Sequence, residues 1–130
     1  MKWSTNWKAS KKPSKQRKYK VNAPLHLKQK LLGTHLTKEL RTKYITRSVE
    51  LRKGDKVKVM IGNHKGKIGK ISKIKMNTQK VYIEGIDTVR KDGNKVLIPF
   101  KPSNLMITEL ELSDKIRKAK IEKMHSKEKK

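Results

Sequence analysis

The chain contains no cysteine. That removes disulfides, thiolate zinc sites and a cysteine nucleophile together, and it fits an intracellular protein. Aromatic residues make up 5% and hydrophobic residues 33% of the 130 residues, which is thin for a globular fold of the full length. At 15.1 kDa one domain is expected, with a compact core well short of the whole chain and arms that do not fold alone. No run is apolar enough for a membrane span, and no basic stretch is strongly amphipathic. The lysine-bearing N-terminus lacks the apolar segment of a secretory signal, and no internal repeat is visible. Acidic residues are scarce too: 11 Asp+Glu stand against 36 Lys+Arg, for a net charge of +25 at pH 7. So large an excess of one sign opposes compaction unless a polyanion neutralises it, and nucleic acid is the expected partner.

Catalytic constellations are also missing. His26, His35, His64 and His125 fall in four different segments, with no H-E-x-x-H and no i,i+4 pair, so no metal site is expected. Asp55, Asp87 and Asp92 sit at turns, and Glu109 and Glu111 flank Leu110. Turn and cap chemistry explains each better than a general acid/base pair does. Gly62-Asn63-His64-Lys65-Gly66-Lys67 lacks the spacing of a P-loop, and Ile68 follows where Ser or Thr is needed. No enzyme activity, cofactor or small-molecule substrate is therefore expected.

Four stretches succeed one another. Residues 1–21 form a basic arm, expected to be disordered when free. It carries Lys11, Lys12, Lys15, Arg17, Lys18 and Lys20 and no acid, a pattern suited to phosphate contact. Trp3, Trp7 and Tyr19 are interleaved with the cations and suit stacking on bases or packing on a neighbouring protein. Residues 22–47 read as an extension with two short helices. Asn22-Ala23-Pro24 has the form of an N-cap with proline in the first turn, opening a helix through Leu32 that Gly33 stops. Thr37 starts the second helix, with Glu39 in its first turn and Leu40 and Tyr44 one turn apart. Neither is long enough to be stable alone. His26, Lys28, Lys30, His35, Lys38, Arg41, Lys43 and Arg47 continue the basic character of the arm, and Glu39 is the one acid.

Residues 48–110 read as mainly β. Val49 and Leu51 suit a lead-in strand. Val57, Val59 and Ile61 alternate with Lys56, Lys58 and Met60, the period of a half-buried strand. The next strand spans about Lys67 to Met76. Ile68, Ile71 and Ile74 differ in parity there, so one face buries them only with a bulge or bend, which suits a small barrel. Val81 to Ile83 is a third strand, ended by Gly85. Asp92-Gly93 predicts a hairpin between Val89 and Val96. Val96, Ile98 and Phe100 share a face, Pro99 and Pro102 confine their surroundings to edges and turns, and Leu105 to Thr108 closes the set. In residues 111–130, Ser113 is expected to cap a helix with Asp114 in its first turn. Leu112, Ile116 and Ala119 would dock it before it frays into Lys127-Glu128-Lys129-Lys130.

The loop between the two lysine-rich strands is the sharpest candidate site. Gly62 and Gly66 bend the backbone, Asn63, His64, Lys65 and Lys67 decorate it, and Lys56, Lys58 and Lys70 lie on the flanking strands. Such loops bring backbone N–H groups and lysine charge close to phosphate oxygens.

Val57 through Ile71 (V-K-V-M-I-G-N-H-K-G-K-I-G-K-I) resembles the KOW motif, two strands around a glycine-containing loop in an SH3-like barrel. That motif also occurs in transcription elongation factors. The flanks narrow the resemblance. Asn22 to His26, Leu36 to Tyr44, Arg52 to Val57 and Pro102 to Leu105 resemble the KOW-containing large-subunit ribosomal protein family numbered twenty-four in archaea and twenty-six in eukaryotes, over about residues 16 to 118. Bacterial members lack the long N-terminal extension, and the compact C-terminus favours the archaeal branch. Asn63-His64 stands where the family has Asp and an aromatic.

This resemblance implies a mainly β fold: a small SH3-like KOW barrel with a basic N-terminal extension carrying two short helices, and a C-terminal helix. It implies a cytoplasmic, ribosomal structural protein that binds large-subunit rRNA early in assembly, lies near the polypeptide exit tunnel and touches neighbouring ribosomal proteins, without homo-oligomers. The positions it implicates are the arm from Lys11 to Lys20, the helices from His26 to Tyr44 and the loop Gly62 to Lys67. The alternative is a KOW-type RNA- or protein-binding module of a transcription or translation factor.

Overall fold

The computed structural model describes residues 3–127, with side-chain surroundings through Lys123. The charged end from Glu128 to Lys130 lies outside the described residues. Seven strands form one mixed, barrel-like sheet: β1 (Gly33–Leu36), β2 (Ser48–Glu50), β3 (Lys56–Val59), β4 (Ile68–Lys75), β5 (Lys80–Val89), β6 (Lys95–Phe100) and β7 (Leu105–Glu109). Their spatial order is β2-β1-β7-β3-β4-β5-β6, and every pairing is antiparallel except β1 with β7. The fold is mainly β, as the alternating segments predict.

Alternation sorts the strands into a core side and an outer side. Val57 and Val59 are fully buried, while Lys56 and Lys58, which alternate with them, are half-exposed. Leu36, Ile107, Val57 and Gly69 are successive cross-strand partners and form one row of the core side. Each fully buried aliphatic in that row contributes about 1.5–3 kcal/mol. Gly69 ends the row because nothing larger fits: a Cβ there would lie 2.5 Å from Ile83 Cγ2 and 2.9 Å from the Glu84 carbonyl oxygen. The sheet folds onto itself at this point, and register shifts between Ile71 and Lys73 and between Tyr82 and Asp87 supply the bend. The parity conflict among the β4 isoleucines thus resolves as a bulge. Ile74 packs against the core, and Ile68 is left 53% exposed.

Several local expectations are corrected. β3 ends at Val59, leaving Ile61 exposed. β5 does not stop at Gly85; it passes through it to Val89, and the bulge turns Ile86 into the core. Gly33 begins a strand as well as ending a helical segment. β1 is hidden in the sequence because four residues are too few to show a period, yet Thr34 and Leu36 are buried and β1 sits between β2 and β7. β1 pairs antiparallel with β2, from Gly33 opposite Glu50 to His35 opposite Ser48.

The helices are α1 (Pro13–Asn22), α2 (Leu25–Lys30), α3 (Lys38–Tyr44) and α4 (Lys115–Lys127). α2 and α3 are the two short helices of the extension. Asn22 is the last residue of α1 rather than the cap of α2, whose N-cap is Pro24. The arm has regular structure: a 3-10 turn at Thr5–Ala9 precedes α1, and neither buries a residue. α4 is capped by Asp114 rather than Ser113, since Asp114 Oδ1 accepts the Ile116 N–H at 2.9 Å. Its docking face also differs from the expectation. Ile116 is 78% exposed and Ala119 is exposed, whereas Arg117 and Ile121 are buried. An arginine on the buried face breaks the apolar period that sequence reading relies on.

Candidate nucleic-acid interface

The β3–β4 loop closes by its own backbone. Gly66 N–H donates to Val59 C=O at 2.8 Å, Lys65 N–H to Gly62 C=O at 3.0 Å and Lys67 N–H to His64 C=O at 3.1 Å. Gly62 and Gly66 have φ of +97° and +89°, with open space where a Cβ would stand. Glycine is needed there for left-handed backbone, not for close approach. The N–H groups of Lys65, Gly66 and Lys67 are committed to the turn, so the backbone cradle expected at this loop is mostly used internally. The side chains of Asn63, Lys65 and Lys67 project as exposed groups. His64 turns the other way. Its ring meets Phe100 edge-on, 6.1 Å between centroids at 82°, and its Nδ1 is buried without a hydrogen-bond partner. His64 therefore occupies the aromatic position of the loop and shapes it from within.

The outer side of the sheet gathers residues from distant segments. Ser48, His35, Met106, Lys58 and Ile68 are successive cross-strand partners on β2, β1, β7, β3 and β4. This row places His35 of the extension about 10 Å from Lys58 of the barrel, two strand spacings away. The adjacent row runs Lys70, Lys56, Glu109. Lys56 Nζ lies 2.8 Å from Glu109 Oε1, so its charge is already balanced. Lys58 and Lys70 carry the free charge of this face.

Around α3, Lys38, Arg41, Lys43 and Arg47 are all exposed. Arg41 donates from Nε to the Leu36 carbonyl at 2.9 Å, which ties α3 to β1. Lys43 Nζ stands 5.4 Å from the Tyr44 ring centroid. His26 and Lys30 on α2 are exposed, and Lys28 is half-buried. Lys11, Lys12, Lys15, Arg17, Lys18 and Lys20 of the arm are all exposed. Among the described residues no ion pair reaches them. Trp3 is not splayed outward: its ring lies 5.3 Å from that of Tyr19 and its indole N–H donates to the Tyr19 carbonyl at 3.2 Å.

One feature escapes sequence reading. Asp55 is fully buried, and its carboxylate is chelated by Arg117 at 2.6 Å (Nη1) and 2.7 Å (Nη2). The same carboxylate accepts the N–H groups of Arg52 at 2.8 Å and Glu111 at 2.9 Å. Arg117 also donates to the carbonyls of Glu111 at 2.8 Å and Glu50 at 3.1 Å. Carboxylate and guanidinium are thus hydrogen-bonded to each other and to backbone on both sides, as burial of charge requires. Arg52 pairs with Asp114 beside it, and Lys120 Nζ lies 3.5 Å from Glu50. The Arg52 guanidinium, aided by the Ile116 N–H, holds the Asp114 carboxyl below the ordinary carboxylate range. Asp55, Asp114 and Glu50, where α4 meets the barrel, each face a cation. The outer face and the arm keep the uncompensated charge. The one sequence signal for Asp55 is an acid inside the basic turn Arg52-Lys53-Gly54-Asp55.

Among the described residues no group of three His, Asp or Glu could hold a metal, and no helix is long and apolar enough to cross a membrane. The family model for ribosomal proteins L26 of eukaryotes and L24P of archaea matches residues 10–124. The large ribosomal subunit protein uL24 of Methanosarcina barkeri is 44% identical over 114 residues, covering 88% of this chain and 98% of that protein. The uL24 of Korarchaeum cryptofilum is 41% identical over 114 residues, covering 88% and 87% respectively. The sheet, the loop and these matches agree: the chain belongs to the L26/L24P family of ribosomal proteins, structural rather than enzymatic members of the large subunit.

Proposed function

We propose that this protein binds large-subunit rRNA, supports early assembly of the subunit and lies near the mouth of the polypeptide exit tunnel, beside other ribosomal proteins. It acts as a structural protein of the large ribosomal subunit, in the cytoplasm. The observation that carries rRNA binding is the partition of charge. Ion pairs engage Arg52, Lys56, Arg117 and Lys120 with Asp114, Glu109, Asp55 and Glu50, while among the described residues the cations of the arm, α2 and α3, with Lys58, Lys70 and those of the β3–β4 loop, enter no ion pair. Cations arranged this way position a protein on phosphates and read shape more than sequence. Tunnel proximity and early assembly rest on the family resemblance.

Salt dependence tests the reading. If about ten phosphates are neutralised, the log–log slope of affinity for large-subunit rRNA against salt is roughly −7 to −9. A flat response would sink it. Retention on large subunits sedimented in high salt separates a structural constituent from a transient KOW-type factor, which washes off.

A further inference from the structure

The arm raises a physical problem. α1 has ten residues, below the roughly 12–15 at which isolated helices become stable in water. It holds Lys15, Arg17, Lys18 and Lys20 with no acid, so the i,i+3 pairs Lys15–Lys18 and Arg17–Lys20 repel. It buries nothing, and no side chain of its own caps its N-terminus. Its intrinsic preference is to unfold.

Two side chains oppose that preference. Gln16, in the middle of α1, directs its amide back to the preceding 3-10 turn, where Nε2 stands 2.9 Å from the Trp7 carbonyl, 3.2 Å from that of Lys8 and 2.6 Å from that of Ser10. The Trp7 carbonyl also accepts the Ser10 N–H at 3.2 Å, so Gln16 adds a second bond there and reaches the Lys8 and Ser10 carbonyls beside it. Trp3 then reaches across to the last turn of α1. Its indole N–H satisfies the Tyr19 carbonyl, one of the four that a helix C-terminus leaves open. Its ring packs on the Tyr19 ring. Gln16 and Tyr19 are three residues apart and fall on one face of the helix. The 3-10 turn is clamped along that face, and the arm's cations stay exposed.

We propose that Trp3, Gln16 and Tyr19 are positioning residues that hold α1 folded as a basic rod before nucleic acid is met. The cations of the arm are then placed in advance, and little ordering entropy is lost on binding. The proposal rests on the rRNA-binding reading for its purpose, but not for its first measurement.

The test uses the full chain. In the Trp7→Phe variant, Trp3 is the remaining one of two tryptophans. The expected result without RNA is Trp3 emission shielded from acrylamide, with shielding lost on adding Tyr19→Ala. Gln16→Ala and Trp3→Ala lower far-UV helicity. They also weaken binding to transcribed large-subunit rRNA at fixed salt by about tenfold or more, tenfold being the scale of the ordering entropy of a single residue. Their salt slope stays unchanged because every cation remains. Lys15→Ala does the reverse: Trp3 stays shielded and the slope falls. Free accessibility of Trp3 in the RNA-free protein overturns the proposal, as does a Gln16→Ala variant with helicity and affinity intact. A shielded Trp3 with a flat salt response leaves the clamp standing and removes the rRNA reading. A steep slope with Trp3 shielded only after RNA is added does the opposite.

Discussion

The arm and the α4 junction solve opposite electrostatic problems with the same residue types. At the junction, Arg117 is buried against Asp55 with its donors satisfied by a carboxylate and two backbone carbonyls. In α1, four cations stand on ten residues with no acid among them. Charge that faces charge inside the molecule becomes structure. Charge left without a partner is available to a polyanion. The difference shows why net charge alone does not locate an interface: Arg52, Lys56, Arg117 and Lys120 are cations that the fold itself consumes.

Breaking the junction should have the largest effect. Arg117→Ala leaves the buried Asp55 carboxylate without its counter-ion, and Asp55→Ala leaves a buried guanidinium and two backbone N–H groups unpaired. Each is expected to lower stability by about 3–5 kcal/mol in urea denaturation. The double variant should lose less than the two single losses added together. Additive losses would mean the two groups do not act as a pair.

Gly69→Ala comes next. Its Cβ would collide with Ile83 Cγ2 and the Glu84 carbonyl oxygen, so the β4–β5 crossing must open. A loss of about 1–3 kcal/mol is expected, read as a lower urea midpoint. An unchanged midpoint would mean that the barrel does not close tightly there.

Removing charge from the arm should leave stability almost untouched. The double variant Lys15→Ala, Lys18→Ala is expected to unfold within about 0.5 kcal/mol of the parent. Its salt slope for rRNA binding should shrink by about 0.7–0.9 per lost contact. A large stability loss with no change in slope would reverse the roles assigned to the two regions.

The smallest effect concerns Asp114. Its carboxyl is held below the ordinary range by Arg52, so its contribution is present above the unfolded value of about 3.9 and is lost as pH falls through the folded value. The stability difference between parent and Asp114→Asn should be constant near neutrality and vanish in strong acid. A difference that grows as pH falls would contradict the pairing.

Legibility follows period and length. The β3–β4 unit is readable because Val57 and Val59 alternate with lysines and glycines mark the loop. The Asp92-Gly93 hairpin is readable from its turn residues. β1 is not, since four residues carry no measurable period and Gly33 suits a helix end as well as a strand start. Continuation of β5 past Gly85 is hidden because a bulge looks locally like a stop. His64 reads as outward because a histidine among lysines suits phosphate contact, and only the nearness of Phe100 shows that it packs inward.

By itself the sequence determined the excess of cations, the lack of cysteine, the strand alternation around the loop and the family signature. All of these are local or summed properties, which a linear chain carries openly. Tertiary structure decided which cations are spent. Asp55 and Arg117 are 62 residues apart, His35 and Lys58 meet on one face only because β7 lies between their strands, and Trp3 reaches Tyr19 only when the arm folds back. Electrostatic pairing depends on distance in space and on burial, and neither is written in the order of residues.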